Sequence, residues 1–251
     1  MVDTLLFVPG TMCDQRLWQP MLQTAAGEQL QQQFAIQHAA IWQQTDLSGM
    51  VATIAAPQAA HLVGFSMGGY LVLSHLLGLS SAEPLTHPPT KLQQVKSLVL
   101  IAASAGSLPA AEIQGRQQVL QWLSSHRYQG MSRKRLVEFV HSSQLQNPLV
   151  TEPLLAMDQE LGHEVLQMQL SQTSLRPSLM DQLAQIRCPV LIIAGQDDRL
   201  VALAQLQQMA ALIPDARLVV LPDSGHMLPL EQPAVIASEL LAFYQRVVTK
   251  T

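Results

Sequence analysis

The chain has 251 residues, of which 48% are apolar and 13% charged, with a formal net charge of −4. This balance suits one large domain, or one domain with a sizeable insertion, and excludes an intrinsically disordered chain. It also excludes a nucleic-acid partner: Arg133-Lys134-Arg135 is the only basic run, and it reads as a solvated helix start.

In chain order, the first apolar run, 5–8, reads as a strand. It is too short for a signal peptide or a membrane span, so a cytoplasmic protein with no membrane partner is expected. A helical pattern over about 15–32 follows. Further strand-like runs are 34–38, 60–64, 97–102, 190–194 and 217–221, several near-continuously apolar, as strands buried on both faces of a parallel sheet are. Helical patterns occupy 67–78, 202–212 and 231–248, and 79–94, with Pro84, Pro88 and Pro89, reads as a long surface loop. The glutamine clusters at 31–33, 117–118 and 207–208 read as solvated helix faces, since apolar residues interrupt them.

The alternation of strands and helices predicts an α/β fold with a mostly parallel sheet flanked by helices. One interval breaks the rhythm. Residues 107–185 read as several amphipathic helices without a strand, with Gly130, Pro148, Pro153, Gly162 and Pro177 at plausible joints. The expected division is a core of 1–105 and 186–251 with a helical cap, 106–185, inserted in it. Cys13 and Cys188 are too few for a disulfide framework and read as free thiols in a reducing compartment.

The strongest local motif is Gly64-Phe65-Ser66-Met67-Gly68-Gly69. It follows a buried strand and opens a helix, the setting a nucleophile elbow requires. The turn is so tight that side chains at 64 and 68 would strike the neighbouring helix and strand. Ser66 is thus the candidate nucleophile. A serine hydroxyl needs a base. Among eight histidines, His226 stands in the loop Asp223-Ser224-Gly225-His226-Met227, after the last strand and at the end of the sheet where the elbow opens. His61, inside the strand before the elbow, reads instead as a buried imidazole. The base needs an acid to fix its tautomer, and Gly195-Gln196-Asp197-Asp198-Arg199 supplies two aspartates after another strand. Spacing alone does not choose between them; the plainer reading of Asp197 is a cap on the turn or the following helix. Oxyanion donors are expected from the Met67 N–H and from the loop Val8-Pro9-Gly10-Thr11-Met12-Cys13, where the Thr11 N–H is first choice and Met12 second. Cys13 could line the pocket; it has no partnered histidine at a recognisable spacing that would make it a nucleophile. No metal-ligand histidine pair and no phosphate loop is present, so no metal and no cofactor are expected.

These motifs together resemble the α/β-hydrolase superfamily, most closely its small capped bacterial esterases, of the pimeloyl-ACP methyl ester esterase type, and its meta-cleavage-product hydrolases. The resemblance covers nearly the whole chain. In those families the acid is the third residue after the glycine, which implies Asp198 here. The resemblance also implies a helical cap over Ser66. Many relatives carry His-Gly where this chain has Pro9-Gly10. The two strands that usually precede that loop are missing, which implies a sheet of about six strands.

The leading expectation is a serine hydrolase acting on a carboxylic ester or thioester through an acyl-enzyme, with Ser66, Asp198 and His226 as triad and an apolar small-molecule acyl substrate. The apolar cap residues Leu120, Leu123, Met131, Leu136, Phe139, Val140, Leu154, Leu155, Met157, Leu166 and Met168 suggest an apolar pocket, although a packed helix face has the same pattern. One alternative is carbon–carbon bond hydrolysis, for which Arg116, Arg127, Arg133, Arg135 and Arg176 are candidate carboxylate binders. Another is a non-catalytic ligand-binding member of the fold. The oligomeric state is left open.

Overall fold

The computed structural model describes residues 2–55, 61–78 and 95–248; the surface loop expected over 79–94 lies outside them. Six strands, β1 (Thr4–Val8), β2 (Ala35–His38), β3 (His61–Phe65), β4 (Ser97–Ile101), β5 (Val190–Gly195) and β6 (Ala216–Leu221), form one all-parallel sheet in the order β2-β1-β3-β4-β5-β6. The central strands β3, β4 and β5 are buried along their whole length, whereas the edge strands β2 and β6 are only partly covered. The near-continuous apolar runs of the central strands follow from having helices on both faces.

The helices are α1 (Gln19–Leu22), α2 (Ala25–Gln33), α3 (Leu47–Ala55), α4 (Met67–Leu76), α5 (Ala110–Leu123), α6 (Pro148–Thr173), α7 (Leu203–Leu212), α8 (Leu228–Glu231) and α9 (Pro233–Val248). Side chains alternate across a strand, so β1 serves two cores. Leu6 and Val8 pack with Met50 of α3, Leu71 of α4 and Leu206 of α7. Leu5 and Phe7 face the opposite way and pack with Met21, Leu30 and Tyr244 of α1, α2 and α9. Among the described residues no helix is long and apolar enough to cross a membrane.

Several elements differ from the sequence expectation. The helical pattern over 15–32 is divided, because Thr24 accepts the Gly27 N–H at 3.0 Å and starts α2 afresh. Helix α3 was not anticipated; its buried residues Met50, Val51 and Ile54 carry the signal of one apolar face. The C-terminal helical pattern begins earlier, with α8. The glutamines at 31–33, 117–118 and 207–208 are exposed, as expected.

Between β4 and β5 the chain forms α5, α6 and short 3-10 turns, with no strand. Pro153 lies inside α6 rather than at a joint. The break falls instead at Gly162, whose φ of 72° and ψ of −160° place it in a region that only glycine occupies readily. No atom lies within 4 Å of where its Cβ would be, so the conformation, not space, demands glycine. Gly162→Ala is therefore expected to cost about 1–3 kcal/mol of stability, read from the denaturant midpoint; an unchanged midpoint would contradict this. The apolar residues of the insertion divide between two clusters, apart from Met168, which packs against the core of Leu6 and Val8. Leu136, Phe139, Val140, Leu154 and Met157 join the core shared with Leu5 and Phe7. Leu120, Leu123 and Leu166 gather instead against Met12, in the loop after β1.

His61 is a buried imidazole, 1% exposed. Its Nδ1 is 2.8 Å from Ser97 Oγ and its Nε2 3.5 Å from Asp3. Burial holds its pKa below the usual histidine value, against the opposing pull of Asp3. His38 is lowered by burial too. The unfolded chain then binds protons that the folded one does not, so stability falls as pH drops through about 6.5. A lower melting temperature at pH 5.5 than at pH 7.5 is expected, with a shallower dependence in His61→Gln; the same slope in both proteins would contradict it.

Candidate active site

The elbow is built from two close backbone approaches. A Cβ on Gly64 would lie 2.5 Å from the Gly69 Cα, and one on Gly68 would lie 2.3 Å from the Pro9 carbonyl oxygen. The helix α4 can therefore pack directly on β3 and β1 only with glycine at both positions. Ser66, the residue between β3 and α4, takes φ 50° and ψ −119°. This strained conformation is held by its own N–H donating to the Ile101 carbonyl on β4 at 2.9 Å and by its carbonyl accepting the Gly69 N–H at 3.0 Å.

The loop after β6 brings His226 to the same end of the sheet. The Ser66 hydroxyl donates to His226 Nε2 at 2.9 Å, and His226 Nδ1–H donates to Asp198 Oδ2 at 2.8 Å. The carboxylate partner assigns the imidazole proton to Nδ1 and leaves Nε2 free to accept. The His226 and Asp198 side chains are almost entirely buried, at 5% and 2% exposure. The imidazole also packs on the Phe65 ring, 5.1 Å between centroids.

The two adjacent aspartates part company in the turn after β5. Asp198 uses its second oxygen, Oδ1, to accept the N–H groups of Leu200 and Val201 at 2.8 and 3.0 Å. One carboxylate thus both caps the turn and faces His226. Asp197 does neither. It is half-exposed, 3.8 Å from His141 Nε2, on a cleft of about 440 Å³ lined also by Asp198, Arg199 and segment 137–142.

The loop after β1 carries the proposed oxyanion donors, and here the structure separates them. The Met12 N–H is already engaged, donating to Gln169 Oε1 at 2.9 Å. The Thr11 N–H has no protein acceptor among the described residues. The Thr11 side chain lies beside Met67, with its Oγ1 3.4 Å from the Met67 Sδ. Met67 is the first residue of α4, so its N–H has no acceptor within the helix and lies at the positive end of the helix dipole. Cys13 is fully buried among core side chains, and that burial pushes its thiol pKa far up, so no thiolate is available there.

Glu231 escaped the sequence reading. It lies in α8, buried, and its Oε2 accepts the Gly225 N–H at 3.0 Å and the His141 N–H at 2.9 Å. The Phe139 carbonyl accepts the His226 and Met227 N–H groups at 2.8 and 3.2 Å. The histidine loop is thereby clamped to segment 139–141 of the insertion. Burial raises the Glu231 pKa, and the N–H groups it accepts pull the other way. A lone acid in the apolar stretch Met227-Leu228-Pro229-Leu230 was the available signal. Glu231→Ala leaves two buried N–H groups unpaired and is expected to cost about 2–4 kcal/mol, measured by urea unfolding; Glu231→Gln, which keeps an oxygen acceptor, is expected to cost less. Equal losses would contradict the clamp.

The model of the alpha/beta hydrolase family matches residues 5–239. Among named relatives, the chain is 43% identical over 61 residues to "Putative carbamate hydrolase RutD" of Pseudomonas savastanoi pv. phaseolicola, which is 24% of each chain. It is 26% identical over 204 residues to "Putative 2-succinyl-6-hydroxy-2,4-cyclohexadiene-1-carboxylate synthase" of Bacillus subtilis, covering 72% of this chain and 65% of that one. The matches thus span under two thirds of either relative's length. Among solved structures, a thermophilic esterase from Thermogutta terrifontis superposes with a TM-score of 0.78 at 21% identity, over 98% of this chain and 90% of that one. At that identity the likeness concerns the fold.

Proposed function

The chain belongs to the alpha/beta hydrolase family, and from that premise we propose that it is a serine hydrolase cleaving a carboxylic ester or thioester through an acyl-enzyme. The observation that carries this reading is the continuous relay from Ser66 Oγ through His226 to Asp198, at 2.9 and 2.8 Å. In the first step Ser66 Oγ bonds to the acyl carbon while its proton passes to His226 Nε2. The charge that builds on the carbonyl oxygen meets the N–H groups of Thr11 and Met67. The imidazolium, stabilised by Asp198, then gives its proton to the departing alkoxide or thiolate. Water enters by the same route in reverse, losing a proton to Nε2, and Ser66 recovers it as the acid leaves.

The insertion acts as a cap, residues 106–185, over the core formed by 1–105 and 186–251. Leu120, Leu123, Leu166 and Leu170 against Met12 support an apolar acyl site beside the oxyanion loop. The carbon–carbon alternative draws less support. Arg116 is tied to Glu112 and Thr173, Arg135 to Glu138, and Arg176 to the carbonyls of Ser104 and Gly106. A ligand-binding role without catalysis needs no imidazole aligned on a serine. Two unpaired, buried thiols support a reducing compartment such as the cytoplasm.

A series of p-nitrophenyl esters of increasing acyl length tests the reading. Turnover that rises with apolar chain length to an optimum is expected. Hydrolysis of a vinylogous diketone with no turnover of any ester would overturn it in favour of carbon–carbon cleavage.

A further inference from the structure

Gln169 departs from the solvated pattern of this chain's glutamines. It lies in α6 beyond the break at Gly162 and is 0% exposed. Its Oε1 accepts the Met12 N–H at 2.9 Å, which fixes the orientation of the amide. Its Nε2 is buried and has no hydrogen-bond partner among the described residues. Around Met12 the neighbours are apolar, among them Leu166 and Leu170, one turn apart on the same helix. An unpaired buried amide donor opposes folding, and a leucine of similar volume would avoid it only by leaving the Met12 N–H unpaired instead. A residue that breaks a local rule in this way marks a functional constraint.

The constraint is legible in Met12. Its φ of 53° is a conformation that a non-glycine side chain rarely adopts. The Met12 N–H is part of the peptide plane that joins it to Thr11, so the bond to Gln169 sets how that plane is turned. The Thr11 N–H, one peptide earlier in the same loop, has no protein acceptor among the described residues, and the Thr11 side chain lies beside Met67. We propose that Gln169 is a positioning residue that reaches from the cap to hold the oxyanion loop in its working geometry, so that docking of the cap and completion of the oxyanion hole are one event. This rests on the serine-hydrolase reading above, in which Thr11 supplies an oxyanion donor.

The test compares Gln169→Leu and Gln169→Glu with the wild type, using p-nitrophenyl butyrate. For Gln169→Leu, kcat is expected to fall about ten- to a hundredfold, with KM changed by no more than about threefold. Its melting temperature is expected to stay within about 4 °C of the wild type. Gln169→Glu keeps an acceptor at the same reach and is expected to restore kcat to within about fivefold. A leucine variant with wild-type kcat would overturn the proposal, as would a loss that the glutamate variant shares. Amide exchange at Met12, expected to be slow in the wild type, needs no variant; fast exchange there would overturn it even if Gln169→Leu does not fold. Wild-type protein that turns over no ester would instead overturn the hydrolase reading, and with it any catalytic purpose for Gln169.

Discussion

Ser66→Ala is expected to lower kcat for p-nitrophenyl butyrate by about 10⁵-fold or more, to the level of residual oxyanion and binding effects. The reason is geometric. His226 Nε2 has the Ser66 hydroxyl as its acceptor-side partner at 2.9 Å, and without it there is no oxygen from which the base can take a proton. Alanine leaves the elbow otherwise intact, because the close approaches at Gly64 and Gly68 involve backbone and not the serine side chain. The variant should therefore fold with a melting temperature near that of the wild type. Measured turnover of a purified variant within tenfold of the wild type would remove Ser66 from the reaction.

Asp198→Asn is expected to lower kcat by about 10⁴-fold, and the structure explains why so conservative a change should do so. Asp198 Oδ1 accepts the N–H groups of Leu200 and Val201, so the asparagine oxygen must stay on that side to hold the turn. The amide NH2 then faces His226 Nδ1, where a carboxylate oxygen stood at 2.8 Å. An NH2 donor there requires Nδ1 to accept, which moves the imidazole proton to Nε2. In that tautomer Nε2 points a hydrogen at Ser66 and cannot act as its base. Asp197→Asn is the matched control. Its carboxylate is 3.8 Å from His141 and takes no part in the relay, so kcat within about twofold of the wild type is expected. A larger loss in the Asp197 variant than in the Asp198 variant would reverse the assignment.

The features easiest to read in the sequence are those that strain or close packing writes into residue identity. The glycines around Ser66 are there because a Cβ at either position would come within 2.5 Å of neighbouring backbone, and the apolar runs of β3, β4 and β5 are there because both faces are covered. The α/β fold and its parallel sheet followed from the same signals. Spacing could not separate Asp197 from Asp198, since neighbours in one turn differ only in the direction of their side chains; family resemblance pointed to Asp198, and the structure sets Asp198 against His226. The division of labour also proved different: the turn is capped by Asp198 itself, not by its neighbour. The long-range contacts of Glu231 and Gln169 were not legible for another reason. Each acts through a backbone N–H far away in sequence, Gln169 through Met12 at a separation of 157 residues, and no local pattern records such a contact. The apolar insertion was legible as helices, but its allotment between the main core and the cluster around Met12 depended on how α5 and α6 pack.

A fluorophosphonate reports on the central claim most directly, because it bonds covalently only to a serine whose hydroxyl is activated by a base. Folded wild-type protein, treated with the probe and digested, is expected to carry one adduct, on the peptide containing Ser66, and Ser66→Ala is expected to carry none. An unlabelled wild-type protein, or an adduct on another residue that persists in Ser66→Ala, would contradict it.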